Sequence, residues 1–177
     1  FTLFKEVFTG PAITPEKIAL ALENFLLTLT SYNAKFYRAM AGQIELNDKE
    51  KRGFELFMTE YEPRTGRFGA DCFHCHGGPL FSDHDFHNNG LKLKSEDSGM
   101  KGLFSTPSLR NVELTAPYMH DGRFSTLEEV VSHYSSAMHR TDLLDPNLAK
   151  HPVLGLRLAK SDEQAIVAFL KTLTDPK

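Results

Sequence analysis

The sequence predicts an all-α domain with long irregular loops. Residues that favour helix starts recur along the chain, and apolar residues follow them at the three-to-four-residue spacing of a helix. No segment alternates apolar and polar residues as a half-buried strand would. The chain has 177 residues, of which 41% are hydrophobic and 24% charged. This length and composition are sufficient for one well-buried domain or a domain with an extension.

The first predicted helix begins at Thr14, whose hydroxyl can cap the helix, with Pro15 at the first helical position. Its apolar residues form one stripe: Ile18, Leu22, Phe25, Leu26 and Leu29. We predict that residues 1–46 form a helical extension, which packs on a domain formed by residues 47–177.

Three further helix starts combine a capping residue with a nearby carboxylate or amide, at Asn47–Glu50, Ser125–Glu128 and Ser161–Gln164. Each is followed by apolar residues that we expect to be buried: Phe54, Phe57 and Met58; then Leu127, Val130, Val131 and Tyr134; then Ala165, Ile166, Phe169 and Leu170. Between the helix that starts at Asn47 and the helix that starts at Ser125, residues 59–125 hold most of the Gly and Pro residues. They predict a short helix around the two cysteines and a long ordered loop, as expected of chain that wraps a cofactor.

Charge and cysteine content exclude several classes of protein. The formal net charge is 20 − 23 = −3, which gives no basic field for binding nucleic acid. No apolar run approaches the ~20 residues that span a bilayer. The only two cysteines lie three positions apart, which excludes a structural disulfide framework.

Cys72-Phe73-His74-Cys75-His76 matches C-x-x-C-H, the attachment motif of c-type haem. Two thiols one helical turn apart can form thioethers with the two vinyl groups on one porphyrin edge. The His that follows can then bind the iron through its imidazole. The motif therefore predicts one covalent haem c, which is assembled outside the cytoplasm.

Other chemistries use a similar pair of cysteines. A thioredoxin-like motif is expected beside a βαβ pattern, which the sequence lacks. A zinc site needs further ligands, which His84 and His87 could supply. A chance C-x-x-C-H in an intracellular protein is the remaining alternative.

The ligand on the second face of the iron would determine whether the haem is open to substrates. The candidates are Met100, Met119, Tyr134, Met138, His84, His87, His120, His133 and His139. Taken singly, a methionine of this kind is more often a core residue that fills a gap, and an exposed histidine is often only solvated. Spacing alone does not select one of them.

Several separated blocks of sequence resemble the bacterial dihaem cytochrome c peroxidase family, which includes the MauG-type enzymes. The blocks are Cys72–Ser82, Asp85–Gly90, Thr106–Asn111, Leu114–Gly122 and Leu127–Val131, with upstream similarity over Ile13–Tyr32 and at Leu56-Phe57. They occur in the family's order and cover nearly the whole chain.

This resemblance implies a cytochrome c-like haem domain that corresponds to the C-terminal half of a periplasmic dihaem protein. The N-terminal haem domain, where hydrogen peroxide is reduced, would then be a partner outside this chain. The implied function is electron transfer to that haem, with electrons from a donor cytochrome or cupredoxin. Members of the family are often homodimers.

The resemblance also implies ligands. Cys72 and Cys75 would anchor the haem and His76 would bind iron on the proximal side. Tyr134 falls at the family's distal position, as in the MauG type, with Met138 as the alternative. The backbone carbonyls of Thr115 and Pro117 match a calcium site between the two domains, and calcium accepts such oxygen ligands.

Two further functions remain open from the sequence. A MauG-type enzyme would use its haem pair to oxidise a protein substrate. A stand-alone monohaem carrier would only transfer electrons, although such a carrier does not need a region as long as 77–124.

Overall fold

The computed structural model describes residues 2–8, 10, 12–94 and 102–176. The chain divides into two compact units, Phe1–Tyr32 and Asn33–Lys177. This boundary precedes the predicted one after residue 46, because Ala34 and Phe36 are already buried in the second unit. Among the described residues, no helix has both the length and the apolar character to cross a membrane.

The first unit contains helices α1 (Thr2–Val7) and α2 (Pro15–Thr28). As predicted, Thr14 caps α2: its side chain accepts a hydrogen bond from the Lys17 amide at 3.4 Å. The apolar stripe of α2 is present but exposed, since its residues retain 44–62% of their accessible surface: Ile18, Leu22, Phe25, Leu26 and Leu29.

The second unit is mostly helical, which confirms the predicted fold class. Its helices are α3 (Lys35–Met40), α4 (Asp48–Met58), α5 (Leu127–Ser136), α6 (Pro146–Ala149) and α7 (Lys160–Lys171). Within the described part of this unit, four short strands form two antiparallel pairs, β1 (Tyr61–Glu62) with β2 (Arg67–Phe68) and β3 (Phe86–His87) with β4 (Phe104–Ser105). Short 3-10 turns lie at Pro63–Thr65, Cys72–His74 and Val112–Leu114.

The helix caps lie at, or within one or two residues of, the positions that the sequence predicts. Asn47 and Glu50 form the predicted capping box of α4. In α5 the box pairs Thr126 with Glu129, one residue later than predicted. Helix α7 begins at Lys160 without a side-chain cap, just before the predicted start.

The core of the second unit lies where α4 packs on α7. Gly53 makes this contact possible, since a Cβ there would lie 1.9 Å from the Ala165 carbonyl oxygen. The aromatic side chains of this core pack with ring centroids 5.1–6.2 Å apart: Phe36, Phe54, Phe57, Phe81 and Phe169. Met58, predicted to be buried, is 45% exposed because it is the last residue of α4, where the chain turns away from the core.

The same core positions two segments that carry predicted site residues. Phe81 joins it and fixes the loop that follows the C-x-x-C-H motif. Leu127 and Val131 of α5 also join it, so that this helix is held with Tyr134 packed at the edge of the core.

Candidate haem site

A cavity of about 730 Å³, open to solvent, brings together the residues predicted to bind haem. Cys72, Cys75, His76 and Tyr134 all line it. Most of the accessible surface of the wall is apolar and includes Ala70, Phe104, Pro107, Leu148 and Leu156, but polar residues also line the cavity: Asp71, His87, Asn89, Ser105, Thr106 and Asn147.

The two thiols lie on one compact turn. Cys72 begins a 3-10 turn that runs to His74, and the His76 amide donates to the Cys72 carbonyl at 2.9 Å. Both cysteines are free. Burial raises the pKa of each thiol to about 12, helped by the charge of Asp71 at Cys72 and of Asp145 at Cys75. The reactive cysteines of disulfide oxidoreductases have low pKa values, so this pair does not have their character.

The imidazole of His76 is held in one tautomer. Its Nδ1 atom lies 3.1 Å from the Phe81 carbonyl oxygen, which can only accept a hydrogen bond, so Nδ1 carries the proton. Burial lowers the pKa of His76, although the carbonyls of Phe81 and Pro107 oppose this shift. A neutral imidazole whose Nδ1 is bound to a carbonyl offers its Nε2 lone pair to a metal.

Tyr134 and Met138, the two predicted distal ligands, lie in different surroundings. The Tyr134 side chain lines the cavity, and burial raises the pKa of its hydroxyl. Met138 is 3% exposed and does not belong to the cavity wall. The two residues do not lie on one helix face, because α5 ends at Ser136 and Met138 lies beyond it.

His87, a candidate for haem or zinc, is held by two carboxylates. Its Nδ1 donates to Asp145 at 2.6 Å and its Nε2 to Asp83 at 2.8 Å. Burial alone would lower the pKa of His87, but these two hydrogen bonds outweigh it and raise the pKa. Donor atoms of Cys75, His87 and Asp145 lie within 4.8 Å of one another. Because both ring nitrogens of His87 are already engaged, this cluster offers no ready zinc site, and Cys72 is not part of it.

The remaining distal candidates are engaged elsewhere or lie at the surface. The sulfur of Met119 accepts from Asn89 at 3.6 Å, and His133 donates from Nε2 to the Asn89 carbonyl at 3.1 Å. His120 stacks on Phe104 with ring centroids 3.7 Å apart. His84 lies beside Ser82 and His139 is exposed. Met100 lies outside the described residues.

Asp71, which sequence reasoning missed, is a buried carboxylate at the cavity wall. It accepts hydrogen bonds from His151 Nε2 at 2.7 Å and from the Tyr61 amide at 2.9 Å, and Lys150 lies 3.2 Å away. Burial would raise the pKa of Asp71, but these partners hold it below its usual value. Its position directly before Cys72 was the only sequence signal, because the partners at 150 and 151 are remote in the chain.

Asn89 was also missed as a site residue, although it lies within the Asp85–Gly90 block. It lines the cavity, and its side chain acts on the Tyr134 hydroxyl so as to lower its pKa, against the larger effect of burial.

Thr115 and Pro117, the predicted calcium residues, lie in an exposed loop. The Thr115 hydroxyl donates to the Val112 carbonyl at 3.1 Å. The calcium site stays a prediction.

The chemistry of this cavity fits a c-type haem. Two free thiols lie beside a mainly apolar space, as thioether formation with vinyl groups requires, and one imidazole nitrogen is left for iron. A phenol oxygen in the same wall could supply a second axial ligand.

The chain is similar in sequence to MauG proteins and cytochrome c peroxidases. No protein-family model matches it. It is 32% identical to the methylamine utilization protein MauG of Methylophilus methylotrophus, over 97% of this chain and 50% of that protein. It is 31% identical to the cytochrome c551 peroxidase of Nitrosomonas europaea, over 97% of this chain and 48% of that protein. The chain thus spans about half the length of the curated relatives it matches.

Two solved structures are similar to this chain. A MauG-like protein associated with microbial copper homeostasis superposes with a TM-score of 0.74 at 29% identity, over 93% of this chain and 58% of that one. The dihaem peroxidase BthA of Burkholderia thailandensis has a TM-score of 0.69 at 19% identity, which supports the fold alone. The chain belongs to the MauG and dihaem cytochrome c peroxidase family, and it corresponds to one haem domain of such a protein.

Proposed function

We propose that this chain binds one haem c covalently and acts as the electron-transfer domain of a periplasmic dihaem peroxidase. The observation that carries the proposal is the shared cavity of Cys72, Cys75, His76 and Tyr134. Both thiols and two axial-ligand candidates meet there, although Tyr134 is remote from the motif in sequence.

We assign each of these residues a role in binding the cofactor. Cys72 and Cys75 would hold the cofactor through thioether bonds between their sulfur atoms and its vinyl groups. His76 offers Nε2 to the iron while Phe81 fixes the ring through Nδ1. Tyr134 offers its oxygen from α5. When bound, a haem supplies reversible one-electron exchange at its iron.

With His76 and Tyr134 both holding the iron, the metal would be closed to substrates, which supports electron transfer as the role of this domain. Hydrogen peroxide would then be reduced at the haem of an N-terminal domain outside this chain. Electrons would arrive from a donor cytochrome or cupredoxin. The chain's similarity to this family supports both partners as proposals, and its coverage of about half of its relatives agrees with a second domain.

MauG-type oxidation of a protein substrate is the second candidate, and the position of Tyr134 favours it. A thioether ligand raises the potential of a haem and suits acceptance of electrons. A phenolate oxygen is a harder donor that stabilises ferric iron, which suits storage of oxidising equivalents. Tyr134 lines the cavity and Met138 does not.

Separate substitutions of Tyr134 and Met138 test which of them is the distal ligand of the haem iron. In the haem-loaded protein, Tyr134→Phe should abolish the phenolate charge-transfer band and raise the midpoint potential. Met138→Leu, a matched change in the buried residue beyond α5, should leave both unchanged. The opposite pattern, with loss of a Met–iron band in Met138→Leu alone, would assign Met138 and favour the peroxidase type over the MauG type.

A further inference from the structure

The loop between the C-x-x-C-H motif and β3 provides the hydrogen-bond acceptor for the proximal imidazole. His76 donates from Nδ1 to the Phe81 carbonyl at 3.1 Å. Phe81 has φ +52, a left-handed conformation that residues with a side chain rarely adopt. Because this conformation is unfavourable, contacts around Phe81 must hold its two peptide groups in place.

Backbone hydrogen bonds within the loop supply part of this constraint. The Phe81 amide donates to the Gly78 carbonyl at 3.2 Å, and the Ser82 amide donates to the Gly77 carbonyl at 3.0 Å. Both bonds join residues of the loop to each other. They therefore fix its shape without attaching it to the rest of the domain.

Two serine hydroxyls attach the loop to the segment that follows β4, one on each side of Phe81. Ser82 Oγ donates to the Thr106 carbonyl at 2.8 Å. Ser108 Oγ donates to the Leu80 carbonyl at 2.6 Å. The peptide groups before and after Phe81 are thus both held by contacts with residues 106–108.

The contact of Ser82 is the more constraining of the two. Ser82 and Thr106 are each 8% exposed, and Thr106 also lines the haem cavity. The Ser82 oxygen accepts from the His84 amide at 3.0 Å as well, so this hydroxyl is bonded as donor and as acceptor. Ser108 is exposed, and water can replace its hydroxyl at the Leu80 carbonyl.

We propose that Ser82 is a positioning residue for the proximal ligand: its hydroxyl, bound to the Thr106 carbonyl, keeps the Phe81 carbonyl on Nδ1 of His76. The inference rests on the proposed function, since it requires His76 to bind the haem iron. A carbonyl on Nδ1 raises the basicity of a metal-bound imidazole. A more basic imidazole favours ferric iron, so Ser82 keeps the midpoint potential lower than it would be with an untethered ring.

Substitution of the two serines in the haem-loaded chain tests this role. Ser82→Ala removes the contact with the Thr106 carbonyl, so the midpoint potential should rise. The Nδ1 proton of His76, followed by NMR, should also exchange faster with solvent. Ser108→Ala removes the exposed contact without disturbing a buried site, and it should shift both quantities in the same direction by a smaller amount.

Thr172→Val is the matched control, because it also removes a buried hydroxyl that donates to a carbonyl. Thr172 is 3% exposed, and its Oγ1 donates to the Phe169 carbonyl at 2.6 Å. This variant should lose stability without a change in the potential or in the exchange of the His76 proton.

The possible results separate the role of Ser82 from the proposed function. Equal potential shifts in Ser82→Ala and Thr172→Val, or no shift in Ser82→Ala, would overturn the role of Ser82 while leaving the proposed function intact. A chain without covalent haem, or one whose His76 signals lack the paramagnetic shift of an iron ligand, would refute the proposed function itself.

Discussion

The Nδ1 atom of His76 donates to the backbone carbonyl of Phe81 at 3.1 Å, and the Phe81 side chain is 5% exposed in the aromatic core. The position of the proximal imidazole thus depends on core packing. Phe81 has φ +52, a left-handed conformation that directs its carbonyl toward the ring and that core contacts must maintain.

Phe81→Ala should therefore change both stability and the haem. Loss of the ring should reduce the free energy of unfolding by ~3–5 kcal/mol. A looser carbonyl acceptor makes the imidazole a weaker donor, so the midpoint potential should rise. Chemical denaturation and spectroelectrochemical titration measure the two effects.

Phe169→Ala is the matched control. Phe169 belongs to the same core, and its ring lies 6.2 Å from that of Phe81, but its carbonyl does not contact His76. It should lose similar stability without the same rise in potential. Equal potential shifts in both variants would contradict a specific role for the Phe81 carbonyl.

The Asp71–His151 pair should stabilise the segment that carries the cysteines. Their side chains are 1% and 0% exposed, and the two atoms lie 2.7 Å apart. His151→Leu removes one hydrogen bond from the buried Asp71 carboxylate, which keeps Lys150 and the Tyr61 amide, so it should cost ~1–3 kcal/mol of unfolding free energy. In a double-mutant cycle, Asp71→Leu with His151→Leu should cost less than the sum of the single changes. Additive costs would show that the two residues act independently.

Gly53 should not tolerate even a methyl group. A Cβ there would lie 1.9 Å from the Ala165 carbonyl oxygen, so Gly53→Ala would force α4 and α7 apart. We expect a loss of at least ~1–3 kcal/mol, as for an overpacked core. Gly42→Ala is the control: Gly42 has φ +71 but nothing within 4 Å of an added Cβ. It should cost only the ~1–2 kcal/mol of a left-handed alanine, and a larger loss at Gly42 than at Gly53 would refute this view of the helix contact.

Asp121 should make stability depend on pH in the acid range. Arg123 and Lys94 lie 2.8 and 2.7 Å from its carboxylate and hold its pKa well below the usual value. A carboxylate whose pKa is lower in the folded than in the unfolded state stabilises the fold when it is ionised. This stabilisation is complete above the unfolded-state pKa of ~3.9 and is lost as the pH falls through the folded-state pKa.

Asp121→Asn should accordingly lower the free energy of unfolding near neutral pH, by ~1 kcal/mol for a charged hydrogen-bonded network at the surface. It should also flatten the decline in stability below pH ~4. Unfolding curves from pH 2 to 7 for both proteins provide the measurement. Parallel pH profiles would show that Asp121 does not contribute in this way.

Local signals in the sequence predicted much of the fold. The Thr14 cap and the Asn47–Glu50 capping box act within a few residues, and both are present. The C-x-x-C-H motif is equally local. The exposure of the α2 stripe was not predictable, because an apolar face indicates a preferred environment without identifying what covers it.

The features that the sequence did not predict involve residues that are distant from one another in the chain. Asp71 is paired with His151, eighty residues away, and His87 with Asp145, fifty-eight residues away. Periodicity does not encode such pairs. The end of α5 at Ser136 was similarly hidden, because Ala137 and Met138 interrupt no helical pattern; the chain leaves the helix to form backbone contacts at Gly90 and Leu154.

Intact mass after maturation in a bacterial periplasm tests the central claim most directly, combined with acid–acetone extraction. We predict the mass of the polypeptide plus one haem, with the pigment retained by the protein, and complete extraction from the Cys72→Ala, Cys75→Ala double variant. A bare polypeptide mass for the unaltered chain, or pigment that extracts fully from it, would contradict covalent attachment.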